Sequence, residues 1–142
     1  MVTSQQCLAK YGDPVTNESH FMVLWDVPAE LEIGVIPKRI YCNRDMVEPL
    51  TKAFKSLIAT GCVKELKTWD GCFNRRKVRG RSSISLHSWG IAVDMNAAWN
   101  PLGGKSSWTP EFVKCFTDAG FFWGGDFHNR KDPMHFELAK LP

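Results

Sequence analysis

Ser85-Leu86-His87-Ser88-Trp89-Gly90-Ile91-Ala92-Val93-Asp94 holds an imidazole and a carboxylate in one short stretch. From Ile91 to Asn96 the residues alternate. Ile91, Val93 and Met95 fall on one side, and Ala92, Asp94 and Asn96 on the other, as in a half-buried strand. His87 precedes Asp94 by an odd number of residues, so a straight strand would aim them at opposite faces. If the two act together, the chain must bend between them, and Gly90 is suited to the bend.

A second stretch, Asp132-Pro133-Met134-His135-Phe136-Glu137-Leu138, supplies another imidazole with an acid three residues before it. It predicts a strand with His135 and Glu137 on one face and Phe136 and Leu138 on the other. Two imidazoles and a carboxylate are good ligands for zinc, and a catalytic zinc site keeps its fourth position for water. We therefore expect His87, Asp94 and His135 to hold zinc, with Asp132 handling the proton of the attacking water.

The surrounding chain predicts an α+β fold: a small, mainly antiparallel sheet with flanking helices, and the zinc site in a cleft on the sheet. Thr3 or Ser4 caps a short helix through Tyr11, which Gly12 stops. Phe21 to Trp25 and Arg39 to Cys42 are strand candidates. From Asp45 to Thr60 the apolar period is helical, with Pro49 tolerable only in the first turn and Gly61 as the stop. Val63 to Trp69 is expected as a strand, followed by a turn at Asp70-Gly71. Thr109-Pro110 opens a further helix that Gly120 ends. The segment from Ala97 to Trp108 is a loop, and the tryptophans belong mainly to the core.

At 142 residues the chain is expected to be one domain, 1–142, and a monomer. Its 44% hydrophobic content is ordinary for a soluble globular protein. No apolar run approaches the ~18–20 residues of a membrane span. No basic-then-apolar leader opens the chain, so delivery outside the cytoplasm would need another agent. Five cysteines without a CxxC pair argue against a complete disulfide framework. The net charge of +3 is concentrated in Arg75, Arg76, Lys77, Arg79 and Arg81. Such a run can hold nucleic acid. Its place just before His87 favours an anionic peptide or glycan beside a catalytic site, and no nucleic-acid partner is expected.

Ser85-x-His87-x-x-Gly90-x-Ala92-x-Asp94, followed by Asp132-Pro133-Met134-His135, resembles the signature of the zinc D-alanyl-D-alanine carboxypeptidase family. The chain from about Ile40 to Leu138 is similar to that family's phage endolysins, which are L-alanyl-D-glutamate peptidases. The resemblance implies zinc on His87, Asp94 and His135, and Asp132 as catalytic acid/base. Many members carry Glu where this chain has Asp132; Glu137 is the lesser candidate for that base. It further implies a peptidoglycan stem peptide as substrate. An endolysin of this kind is made in the host cytoplasm and acts on the wall after release. Arg79 is the first choice to face the oxyanion or grip a substrate carboxylate, with Arg75 and Arg81 as substrate-binding candidates. Ser85 is expected to bond substrate or the ligand shell.

Two other outcomes stay open at this point. A carboxypeptidase of the same chemistry would need a pocket closed at one end, where an endopeptidase needs an open groove. A non-catalytic wall-binding module would lack the base or add a fourth protein ligand.

Overall fold

The computed structural model describes residues 1–78 and 80–142. Among them the chain forms helices α1 (Ser4–Tyr11), α2 (Glu18–Phe21), α3 (Val47–Thr60) and α4 (Pro110–Thr117). The strands are β1 (Met22–Asp26), β2 (Arg39–Asn43), β3 (Trp69–Gly71), β4 (Ala92–Met95), β5 (Phe121–Trp123) and β6 (His135–Leu138). The fold is α+β, and the strands make two antiparallel sheets rather than one. β1 pairs with β2, and a separate sheet runs in the order β3-β4-β6-β5.

Local chemistry accounts for the helix ends. Thr3 and Gln6 exchange side-chain and backbone bonds as a capping box for α1. Thr109 caps α4, with Pro110 in its first turn. Gly61 closes α3 in the left-handed conformation that a side chain would oppose. α3 buries Leu50, Ala53, Phe54 and Leu57 completely. Each large apolar side chain removed from water contributes about 1.5–3 kcal/mol, so this face anchors the helix on the core. α4 adds Phe112 and Phe116, which pack around Phe136 of β6.

The expected strand from Val63 to Trp69 does not form. After Gly61 the chain makes a 3-10 turn over Cys62–Glu65, and only Trp69–Gly71 pairs with β4. Asp70 and Gly71 therefore lie in the strand, not in a turn. Asn96 explains the change. Its side-chain oxygen accepts from the Lys67 and Thr68 amides, and its amide donates to the Glu65 carbonyl. The segment's backbone is satisfied by this side chain in place of a ladder. α2 lies just ahead of β1 and includes Phe21, which the apolar run had suggested as the start of the strand.

The bend after His87 is present. Ser85 caps a 3-10 turn over Leu86–Trp89, and Gly90 ends it at φ 66°. A Cβ on Gly90 would stand 2.6 Å from Met22 Sδ and 2.7 Å from the Asn43 amide nitrogen. The Asn43 amide donates to the Gly90 carbonyl, and the Asn43 side chain to the Trp89 carbonyl. Gly90→Ala combines left-handed strain with a backbone clash. It should destabilise the fold by on the order of 2–4 kcal/mol in denaturant titration; a loss under about 0.5 kcal/mol would contradict this packing.

Candidate metal centre

Asp94 on β4 and His135 on β6 are direct partners across the antiparallel pair. Directly opposed residues in such a pair hold their Cβ atoms about 4.5–5.5 Å apart on one face. His87 reaches the same place from the turn that Gly90 ends. One ligand atom from each of His87, Asp94 and His135 lies within 4.8 Å of the other two.

The tautomers follow from the hydrogen bonds. His87 Nδ1 stands 2.9 Å from the Cys72 carbonyl oxygen, which can only accept, so Nδ1 carries the proton. His87 Nε2 then presents a lone pair. It is buried, has no hydrogen-bond partner, and faces Asp94 Oδ2 at 3.2 Å. His135 Nε2 donates to Glu137 Oε1 at 2.8 Å, which leaves Nδ1 facing Asp94 Oδ1 at 3.2 Å. Three electron-rich groups thus converge, and a cation is what resolves their repulsion. One ligand atom from each of the three lies within 4.8 Å of the others, near enough to share one ion, and imidazole nitrogen with carboxylate oxygen is a donor set that suits zinc. The residues fit such an ion.

Without a metal, a proton takes that role. Burial of His135 opposes its charge, but the bonds to Asp94 and Glu137 outweigh burial and raise its pKa to about 10. Burial likewise opposes ionisation of Asp94, yet both imidazoles hold its carboxyl well below the usual range. Asp94 therefore stays a carboxylate at neutral pH while His135 is protonated. A metal must displace that proton. Zinc uptake at pH 7 should release about one proton, and affinity should fall as pH drops. Calorimetry in buffers of different ionisation enthalpy reads this directly; release of none would contradict the protonated state of His135 in the metal-free centre.

Asp132 lies beside the three. Its Oδ1 is buried without a hydrogen-bond partner. Burial raises its pKa, the imidazole charge of His135 opposes the rise, and Asp94 adds to it. The turn that carries it is tightly held. Trp108 and Trp123 both donate their indole N–H to the Pro133 carbonyl at 2.9 Å. The Asp132 amide donates to the Gly124 carbonyl. A Cβ on Gly124 would come within 2.3 Å of the Asp132 carbonyl oxygen, so only glycine allows this approach. Trp89 and Trp108 are buried, as expected for core tryptophans, and Trp123 is partly buried, whereas Trp99 is 42% exposed with the Lys67 ammonium over its ring.

A cavity of about 160 Å³ opens over the centre. His87, Asp94, His135, Asp132, Ser85 and Arg76 are among its walls. Ser85 is 4% exposed, and its hydroxyl accepts from the His87 amide. Among the basic residues, Arg75 turns away: it pairs with Glu18 and lies over the Phe73 ring. Arg81 lines an adjoining depression. Arg79 lies outside the described residues. Arg76, which the sequence had placed only within a basic run, is the arginine of that run that borders the cavity among the described residues. Ser88 holds it there by bonds to the Arg76 backbone N–H and carbonyl and to the Asn74 carbonyl.

The sequence had left unnamed the groups that orient the two imidazoles. They are the Cys72 carbonyl and Glu137. The shared strand face of His135 and Glu137 was the signal that could have named the second. Glu137 is 4% exposed and occupied by His135, an orienting position.

Buried lone pairs of two imidazoles and a carboxylate, with a second carboxyl beside them and a cavity in front, are an arrangement that could hold a metal ion and serve hydrolysis. Residues 79–138 match the family model described as D-alanyl-D-alanine carboxypeptidase. This is the family that the two motifs resemble, and the match spans His87, Asp94, Asp132 and His135. At the coarse level it supports a zinc peptidase acting on peptidoglycan-type substrates. The comparison with curated proteins found no match. Among the described residues no helix is long and apolar enough to cross a membrane.

Glu137→Gln keeps the size of the side chain but removes the charge that orients His135. Zinc affinity should fall about 10–100-fold with the fold intact, as measured by competition with a chromogenic chelator.

Proposed function

We propose that this chain, as one peptidase domain, is a zinc endopeptidase that cuts the L-alanyl-D-glutamate bond of the peptidoglycan stem peptide. His87, Asp94 and His135 hold the zinc. The observation that carries the endopeptidase reading is the shape of the site. Two further depressions share walls with the central cavity. One neighbouring depression shares Arg76, His87 and Asp94 with it; another shares Arg130. Room on more than one flank of the centre supports a substrate that extends beyond the scissile bond on both sides, which an end-trimming carboxypeptidase does not need. The role as a phage endolysin, made in the host cytoplasm and acting on the wall after release, rests on the likeness of the motifs to those enzymes.

Zinc bound here supplies Lewis acidity, which makes water a competent nucleophile near neutral pH. The chain's own groups do the rest. Asp132, whose buried Oδ1 has no other partner, takes the proton from the attacking water. Burial raises its pKa above the ordinary carboxylate value, which favours its role as the group that returns the proton to the leaving amine. Arg76 borders the cavity with a permanent positive charge and faces the oxyanion that forms on the scissile carbonyl. Ser85 fixes the His87 turn, and Glu137 and the Cys72 carbonyl hold both rings at their angles.

The test is to incubate zinc-loaded protein with defined stem peptides and weigh the fragments. Cleavage between L-alanine and D-glutamate is expected; release of terminal D-alanine alone would overturn the reading. Asp132→Asn should lower kcat about 10²–10⁴-fold while zinc stays bound by elemental analysis. Arg76→Ala should lower kcat about 10²–10³-fold, with partial recovery in Arg76→Lys.

A further inference from the structure

The two ends of the groove differ in charge. On one side the depression is walled by Asp70, Phe73 and Asn74 together with the shared residues. Asp70 already accepts from the Thr68 hydroxyl and the Ala97 amide. That end offers an amide and the Phe73 ring, over which Arg75 lies, and it sets the acid Asp70 beside the shared Arg76. On the other side the depression is lined by Gly80, Arg81, Gly103, Asn129, Arg130 and Lys131. It contains three cationic side chains and no carboxylate. Arg81 and Lys131 are exposed. Lys131 Nζ donates to the Phe127 carbonyl at 3.0 Å, which fixes its position and leaves other N–H donors available. Gly103 bonds to the Lys131 carbonyl and ties the loop after β4 to the same rim.

Resting on the endopeptidase reading above, we propose that this cationic depression is a carboxylate subsite that sets the direction of the substrate. The stem peptide is asymmetric in the matching sense. On the amino side of an L-alanyl-D-glutamate bond lie an apolar alanine and an uncharged ether link to the glycan. On the carboxyl side lie the free α-carboxylate of γ-linked D-glutamate and further carboxylates beyond it. The acidic half lies over Arg81 and Lys131, and the alanyl half lies toward Phe73 and Asn74. The reverse orientation would bring the acidic half to Asp70 and Arg76 and carry it away from Arg81 and Lys131. Arg81 and Lys131 are thus specificity residues, outside the reacting atoms.

The test uses the product half of the substrate, so it does not depend on turnover. γ-D-Glutamyl-meso-diaminopimelyl-D-alanine and its D-glutamate α-amide are titrated into zinc-loaded protein by calorimetry. The wild type should bind the acid about tenfold more tightly than the amide, as one charge-assisted hydrogen bond would give. The Arg81→Ala/Lys131→Ala double variant, with its fold checked by circular dichroism, should lose the preference; Arg81→Lys should keep part of it. Equal binding of acid and amide by the wild type would overturn the proposal, as would an intact preference in the double variant. A third peptide, amidated only at its C-terminus, guards against confusion with a chain-end pocket. If that change alone weakens binding, the depression holds a terminus and the proposal falls. Failure of the full stem peptide to be cut, with the acid preference intact, would overturn the bond assignment and leave the subsite standing.

Discussion

The register between β4 and β6 is the constraint on which the centre depends. Asp94 and His135 meet because antiparallel pairing sets them opposite each other on one face. A slip of one residue would send one of them into the core and bring an apolar side chain out. The opposite faces of the same strands forbid it. Val93 and Phe136 are fully buried, and Phe136 sits against Phe112, Phe116 and Trp108. The aromatic cluster beneath the sheet thus holds Asp94 and His135 in place from the face opposite the cavity.

The second requirement is electrostatic. Lone pairs on His87, Asp94 and His135 are brought within 3.2 Å contacts, an arrangement that costs energy unless a positive charge lies among them. The hydrogen bonds to the Cys72 carbonyl and to Glu137 prevent the rings from rotating to relieve it. The same fixed tautomers favour a metal, and in its absence favour a proton on His135.

Much of this was legible in the sequence. Alternation around Asp94 and His135 gave both strands, and the odd spacing from His87 demanded a bend that Gly90 makes. The capping residues located α1, α3 and α4 to within a few positions. What was not legible depends on contacts between distant segments. Nothing local distinguishes Arg75 from Arg76. Their difference arises because Ser88 bonds the backbone around Arg76, while Glu18 draws Arg75 away. The missing strand after α3 has a similar cause: the Asn96 side chain, some thirty residues on, satisfies that backbone. The Cys72 carbonyl is invisible to any motif, since every residue has a carbonyl.

The Pro133 carbonyl receives two indole N–H groups, from Trp108 and Trp123, so both of its lone pairs are engaged. That peptide plane cannot flip without stranding two buried donors. The acid one residue earlier is therefore held in place by the fold itself, with little freedom left in the backbone that carries it. Rigidity in a loop, and not mobility, is what these two tryptophans contribute to the placement of Asp132.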